Sequence, residues 1–313
     1  MATTLKAGAR PATARGGGFS PLRRQETITG YLFLLPNILG FLIFSSVPVL
    51  VTFAISLLDW DLIRAPRFVG LDNYIKLLTD DALFRKVLFN TGYYVLGTVP
   101  AGVILSLLLA LAMNANVKGI AVYRAIFFIP VISASVAVAM MWRWLYNTDF
   151  GLINVLLTSI GLKGIPWLSS TAWAMPSVIL MAIWKSLGYN MLIFLAGLQG
   201  IPIHLHEAAA IDGANSFQRF RHITVPLLAP TTFFVLIISG INSFQVFDLA
   251  FVLTRGGPGD ATNTMVMYIY NQAFQFFHMG YAASIAWVLF AIIFVVTLCQ
   301  HQLQKRWVHY EHE

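Results

Sequence analysis

The sequence predicts an all-α membrane protein with six transmembrane helices, and three observations carry that prediction. Hydrophobic residues make up 58% of the 313, charged residues only 11%, and six apolar runs approach or exceed the length of a spanning helix. A soluble domain carries about 25% charge, so a water-exposed fold is excluded. The single cysteine, Cys299, lies in an apolar run, which rules out an intrachain disulfide and leaves redox chemistry without support. The net charge of +7 follows membrane topology, in which Lys and Arg collect in cytoplasmic loops, so no nucleic-acid partner is expected.

Residues 1–27 hold Lys6, Arg10, Arg15, Arg23 and Arg24 among Gly, Ala, Pro and Thr, and read as a disordered basic tail. The first span follows over 28–57. It is too long for a signal-peptide core and has no small-residue cleavage site. Pro36 and Pro48 are tolerated within it, as prolines are in membrane helices. Further spans are expected at 88–114, 121–146, 172–199, 224–250 and 282–302, making a six-helix membrane domain over 28–305 with a short tail at 306–313. Between the first two, Val69-Gly-Leu-Asp-Asn-Tyr74 followed by Ile75, Leu77 and Leu78 predicts a short surface helix. Thr254-Arg-Gly-Gly-Pro-Gly259 predicts a tight turn after the fifth span.

Charge sets the orientation. The tail, the Lys118/Arg124 loop, the Arg219/Arg221 loop and the Lys305/Arg306 end hold eleven Lys and Arg, against seven in the opposite loops. Both termini are therefore expected in the cytoplasm. Arg143 near the outer end of the third span can snorkel to the interface among aromatic residues. Lys185 falls near the middle of the fourth span, where an ionisable group is a functional hypothesis by default. The alternative to a functional role is a lysine that faces a wet cavity or pairs with a partner subunit.

Catalytic motifs fail. His206-Glu207 lacks the second histidine of a zinc protease motif, since that position is Ala210. No phosphate-binding G-x-x-x-x-G-K-[ST] and no G-x-S-x-G nucleophile elbow occurs. The chain is not expected to be an enzyme. The loop over about 203–226 is the informative stretch. Ile201-Pro202 ends the fourth span, and Glu207 to Asp212 reads as a short helix with Glu207 in its first turn. Gly213 suits the left-handed stop. Ala214 to His222 reads as a second short helix with Phe217 and Phe220 on one face, and Pro226 opens the next span. Its small residues leave room for another protein's backbone.

These residues resemble a known family. Glu207-Ala-Ala, three residues, Gly213, nine residues and Ile223-Thr-Val-Pro226 is similar to the signature of permease subunits of bacterial ABC importers, with Val225 where the family has Leu. Leu35-Pro36, Phe68-Val-Gly-Leu-Asp-Asn-Tyr74, Leu195-Ala-Gly-Leu-Gln199, Ile211-Asp-Gly-Ala214 and Gly256-Gly-Pro-Gly259 resemble the carbohydrate branch, typified by the larger maltose-transporter permease. The chain lacks that subunit's extra N-terminal spans and large periplasmic insertion.

The resemblance implies the type I ABC importer permease fold with a cytoplasmic coupling helix, set in the bacterial cytoplasmic membrane. It implies a second homologous permease, a dimer of ATP-binding subunits and an extracytoplasmic solute-binding protein as partners. ATP and Mg²⁺ belong to the partner ATPase, with no cofactor in this chain. Glu207, Ala208, Ala209, Asp212 and Gly213 would contact that ATPase. Sugar or oligosaccharide would cross by alternating access near the membrane midplane. Asn242, Ser243, Gln245 and Phe247 from the fifth span, and Trp184, Lys185, Gly188 and Asn190 from the fourth, are the path candidates, against packing or polar glue between helices. Asp248 lies at the outer end of the fifth span. Lys185 keeps an anionic cargo open, a sugar acid or glycerol phosphate. A self-sufficient secondary transporter is the competing class, disfavoured because the spans show no internal repeat.

Overall fold

The computed structural model describes residues 21–115 and 118–307, so residues 1–20 of the tail expected over 1–27, and the residues after Trp307, lie outside the described residues. The chain divides into two compact units, Met1–Thr52 and Phe53–Glu313. In the first, helix α1 (Pro21–Phe41) starts ahead of the expected position 28. Proline fits a first helical turn, and the Arg-Arg-Gln-Glu that follows consists of good helix formers. A π turn (Leu42–Ser46) leads into α2 (Val47–Ser56). It falls just before Pro48, which cannot donate its own backbone bond.

The second unit opens with a small antiparallel pair, β1 (Leu58–Asp59) and β2 (Arg67–Phe68), with Leu58 opposite Phe68. Then come α3 (Asp72–Thr79), the expected surface helix, and α4 (Ala82–Met113). Next are α5 (Ile120–Ile132), α6 (Ser135–Leu145), α7 (Leu152–Ser159) and α8 (Thr171–Gln199). The elbow region is α9 (Ile203–Ile211), α10 (Ser216–Arg219), a π turn (Phe220–Thr224) and α11 (Val225–Leu227). The chain closes with α12 (Ala229–Phe244), α13 (Asp248–Thr254), α14 (Met265–Tyr270) and α15 (Met279–Trp307).

Four helices are long and apolar enough to span alone: Arg24–Ser56, α4, α8 and Met279–Gln304. The third and fifth expected spans are not continuous. The pair α5–α6 is bent by 99°, and the α10–α11 segment meets α12 at 62°. Local chemistry explains the first break. Pro130 withholds a backbone donor, and the Ser133 hydroxyl takes the Ile129 carbonyl at 2.9 Å. At the second bend Pro230 sits in the first turn of α12, where its missing N–H does no harm. The fifth span also stops at Phe244, short of the expected 250. Backbone freed at 245–247 is held from elsewhere, since the Thr264 hydroxyl donates to the Val246 carbonyl at 3.0 Å.

The helices α4 and α8 form the most extensive pair, and three buried clusters surround them. Tyr94, Val138, Tyr146, Met181 and Leu253 join α4, α6, α8 and α13. Val103, Met191, Phe194, Leu228 and Val235 join α4, α8 and α12. Leu77, Phe84, Met265 and Ile285 join α3, α4, α14 and α15. The turn at Gly256–Gly259 is tied down by α4. Lys86 Nζ donates to the Gly259 carbonyl at 2.6 Å, and Asn90 donates to the carbonyls of Asp260 and Asn263 at 2.7 and 3.0 Å. Arg124 donates to the Met113 carbonyl at 2.7 Å and so closes the C-terminal end of α4.

Asp81 locks α4 to the last helices. One carboxylate oxygen caps α4 by accepting from Phe84 N at 2.8 Å, and the other accepts the phenols of Tyr268 and Tyr281. Partial burial works to raise its pKa, but the two phenols and the backbone N–H groups of Phe84 and Leu83 outweigh it and hold the carboxyl below its ordinary 3.8. Stability tied to a depressed carboxylate is present above about pH 4 and is lost as pH falls through the native value. Asp81→Asn should therefore lower stability by about 1 kcal/mol at neutral pH, allowing for solvent screening, and flatten the acid limb below about pH 4. Thermal unfolding of the detergent-solubilised protein across pH 2–7 reads both effects.

Candidate functional site

The break at 245–247 lines a cavity of about 290 Å³ through Gln245 and Val246. Irregular backbone at membrane depth is tolerated where it lines a water-filled cavity. The walls come from α4, α8, α12, the 245–247 break and the start of α13, with Val131 from the end of α5. Amides of Asn190, Asn242 and Gln245 and hydroxyls of Thr98, Ser239, Ser243 and Tyr189 face it. Asn190 donates to Ser239 Oγ and Thr98 to Ser243 Oγ, both at 3.2 Å. The side chains of Asn242 and Gln245 have no partner among the described residues. Two charges of opposite sign complete the lining, Lys185 from the centre of α8 and Asp248 at the start of α13.

Five of the eight path candidates thus meet at this cavity: Lys185, Asn190, Asn242, Ser243 and Gln245. The other three do not line it. Trp184 belongs to an aromatic cluster, its ring 5.3 Å from that of Trp142, which in turn lies 5.1 Å from Tyr146. Phe247 packs on Phe251 and Tyr270 at 5.2 and 5.1 Å. Gly188 is where α8 meets α5, and a Cβ there would lie 2.0 Å from the Phe127 carbonyl oxygen. Sequence reasoning missed Tyr94, Thr98 and Ser239. A signal for the first two exists, since Asn90, Tyr94, Thr98 and Ser106 recur at helical spacing along one side of α4.

The elbow is built by three local devices. Pro202 starts α9, so the helix begins at Ile203 and Glu207 sits in its middle rather than in its first turn; the expected dipole role of Glu207 falls with that. The C-terminal end is a Schellman motif. Ala214 N donates to the Ala209 carbonyl at 2.8 Å and Gly213 N to the Ala210 carbonyl at 3.1 Å, with Gly213 at φ +82°. A capping box follows at once, Gln218 N donating to Asn215 Oδ1 at 2.9 Å and Asn215 N to Gln218 Oε1 at 2.8 Å. The second helix of the elbow begins at Ser216 and runs on through α10 to α11 as far as Leu227, beyond the expected His222, before the 62° bend into α12.

Glu207, Ala208, Asp212 and Gly213 are exposed and Ala209 is half-buried. Ile203, Ile211 and Phe217 are also exposed, at 69%, 87% and 70%, an apolar fringe around the alanine face that the sequence did not single out. Phe217 and Phe220 part company, since Phe220 is half-buried.

A family model described as binding-protein-dependent transport system inner membrane component matches residues 37–309. A probable ABC transporter permease protein of Bacillus subtilis is 40% identical over 92% of this chain and 94% of its own length. The trehalose/maltose transport system permease protein of Thermococcus litoralis is 36% identical over 89% of this chain and 94% of its own. Among solved structures, a bacterial alginate ABC transporter in complex with an alginate pentasaccharide-bound periplasmic protein has a chain that superposes with a TM-score of 0.80. That chain is 25% identical, and the match covers 90% of this chain and 96% of that one.

Close packing at Gly188 can be separated from the cavity itself. Gly188→Ala should cost about 1–3 kcal/mol by overpacking α5 against α8. Gly102→Ala, on the cavity wall with nothing within 4 Å of the added Cβ, should change stability by no more than about 0.5 kcal/mol. Thermal unfolding of the two purified variants makes the comparison.

Proposed function

We propose a sugar or oligosaccharide as the cargo of this chain, which belongs to the family of binding-protein-dependent transport system inner membrane components and is a permease subunit of an ABC importer. One observation carries the cargo class. The cavity presents amides and hydroxyls from Asn190, Asn242, Ser243 and Gln245, groups that exchange hydrogen bonds with sugar hydroxyls as both donors and acceptors. Relatives named for trehalose/maltose and for arabinooligosaccharide transport support the same class.

In this reading the cavity is one wall of a path completed by a second homologous permease. A dimer of ATP-binding subunits carries ATP and Mg²⁺ and grips the elbow from the cytoplasm, on the side of both termini. A solute-binding protein delivers cargo from the opposite face. Closure of the ATPase dimer moves α9 as a lever, and rigid rocking of the helices alternates access to the cavity. Ala208 and Ala209 permit close approach, Glu207 and Asp212 offer polar contacts, and Ile203, Ile211 and Phe217 supply apolar area. The capped turn at Gly213 transmits force because its backbone bonds leave little slack.

Gly213→Asp tests the lever. A side chain at φ +82° costs about 1–3 kcal/mol of backbone strain, and a carboxylate is placed beside the Asp212 charge. Uptake of labelled oligosaccharide by cells expressing the whole importer should be lost, the permease should remain in the membrane, and the ATPase should no longer co-purify with it. Uptake that persists without the ATPase would overturn the importer mechanism in favour of a self-sufficient transporter.

A further inference from the structure

Lys185 is not explained by a path for neutral sugars. It stands at the centre of α8 and lines the cavity. Among the described residues its one hydrogen-bond partner is the Ser135 hydroxyl, a neutral group at the start of α6. The ion pairs among the described residues are Asp61–Arg64, in the loop between β1 and β2, and Asp59–Arg67, across the two strands, so no carboxylate lies within 4.0 Å of the ammonium. An ammonium carries three donors, and Ser135 uses one. A neutral amide would serve Ser135 equally well without the cost of a charge at membrane depth. Asp248 faces the same cavity and is likewise outside every ion pair among the described residues.

We propose that Lys185 makes this cavity selective for saccharides that carry a carboxylate. The ammonium pairs with the carboxylate of the passing sugar, and Asp248 accepts hydrogen bonds from its hydroxyls. The cavity as a whole is electrically balanced, with its two charges apart. It therefore suits a singly charged, hydroxyl-rich ligand, and Asp248 repels phosphates of higher charge. This inference rests on the reading of the cavity as part of a saccharide path.

The test uses the complete importer in proteoliposomes with its own binding protein, loaded with ATP. Uptake is measured for hexuronate-containing di- and trisaccharides and for their neutral counterparts. The readout is the acidic-to-neutral uptake ratio relative to wild type, so that selection by the shared binding protein cancels. The ratio should fall by about tenfold or more in Lys185→Met, the loss of one charge-assisted pairing. It should be retained in Lys185→Arg and rise in Asp248→Asn. Preferential uptake of neutral sugars by wild type, or an unmoved ratio in Lys185→Met, overturns the proposal and leaves the saccharide path standing. If Lys185→Met does not assemble, Asp248→Asn decides, a rise supporting the proposal and no change overturning it. Uptake of neither sugar class would instead defeat the saccharide reading itself.

Discussion

Every backbone N–H and C=O at membrane depth must find a partner inside the protein, and this constraint governs the architecture. Helices satisfy it within themselves, which is why the chain is a series of long apolar helices, with α4 and α8 the central pair of the second unit. Where a helix is interrupted, another group must take over. Ser133 does so for the Ile129 carbonyl at the first break, and Thr264 for the Val246 carbonyl at the second. The second interruption lines the cavity through Gln245 and Val246, so helix bonding is given up there where polar lining is gained.

The elbow meets the same demand in water. Its polar ends are closed by short-range devices, a Schellman turn at Gly213 and a capping box at Asn215–Gln218, each confined to a few consecutive residues. Because its order is local, the elbow keeps its shape while presenting alanines and three apolar side chains outward. The cavity is the reverse case, since its walls come from segments far apart in the chain.

Local chemistry was readable in advance. The apolar runs locate α4, α8 and the last span, the short helix α3 over Asp72–Thr79 appears where its pattern indicates, and Gly213 ends α9 with positive φ. Lys185 stands out as an ionisable side chain inside an apolar span, a signal that needs only hydropathy. Of the residues suggested by resemblance, Asn190 lines the cavity, whereas Trp184, Gly188 and Phe247 pack against other elements. Aromatic or small character alone does not say which neighbour a side chain meets.

What the sequence by itself determined is therefore membrane residence, the helical class, the Gly213 stop of the elbow and the family. Each of these depends on composition or on contacts within a few residues. The tertiary structure alone decided where the third and fifth spans break, which side of α4 faces the cavity, and that Lys185 and Asp248 share it without pairing. Proline and serine permit a break wherever they occur in a membrane helix. Only a distant partner, such as Thr264 for Val246, makes it affordable in lipid.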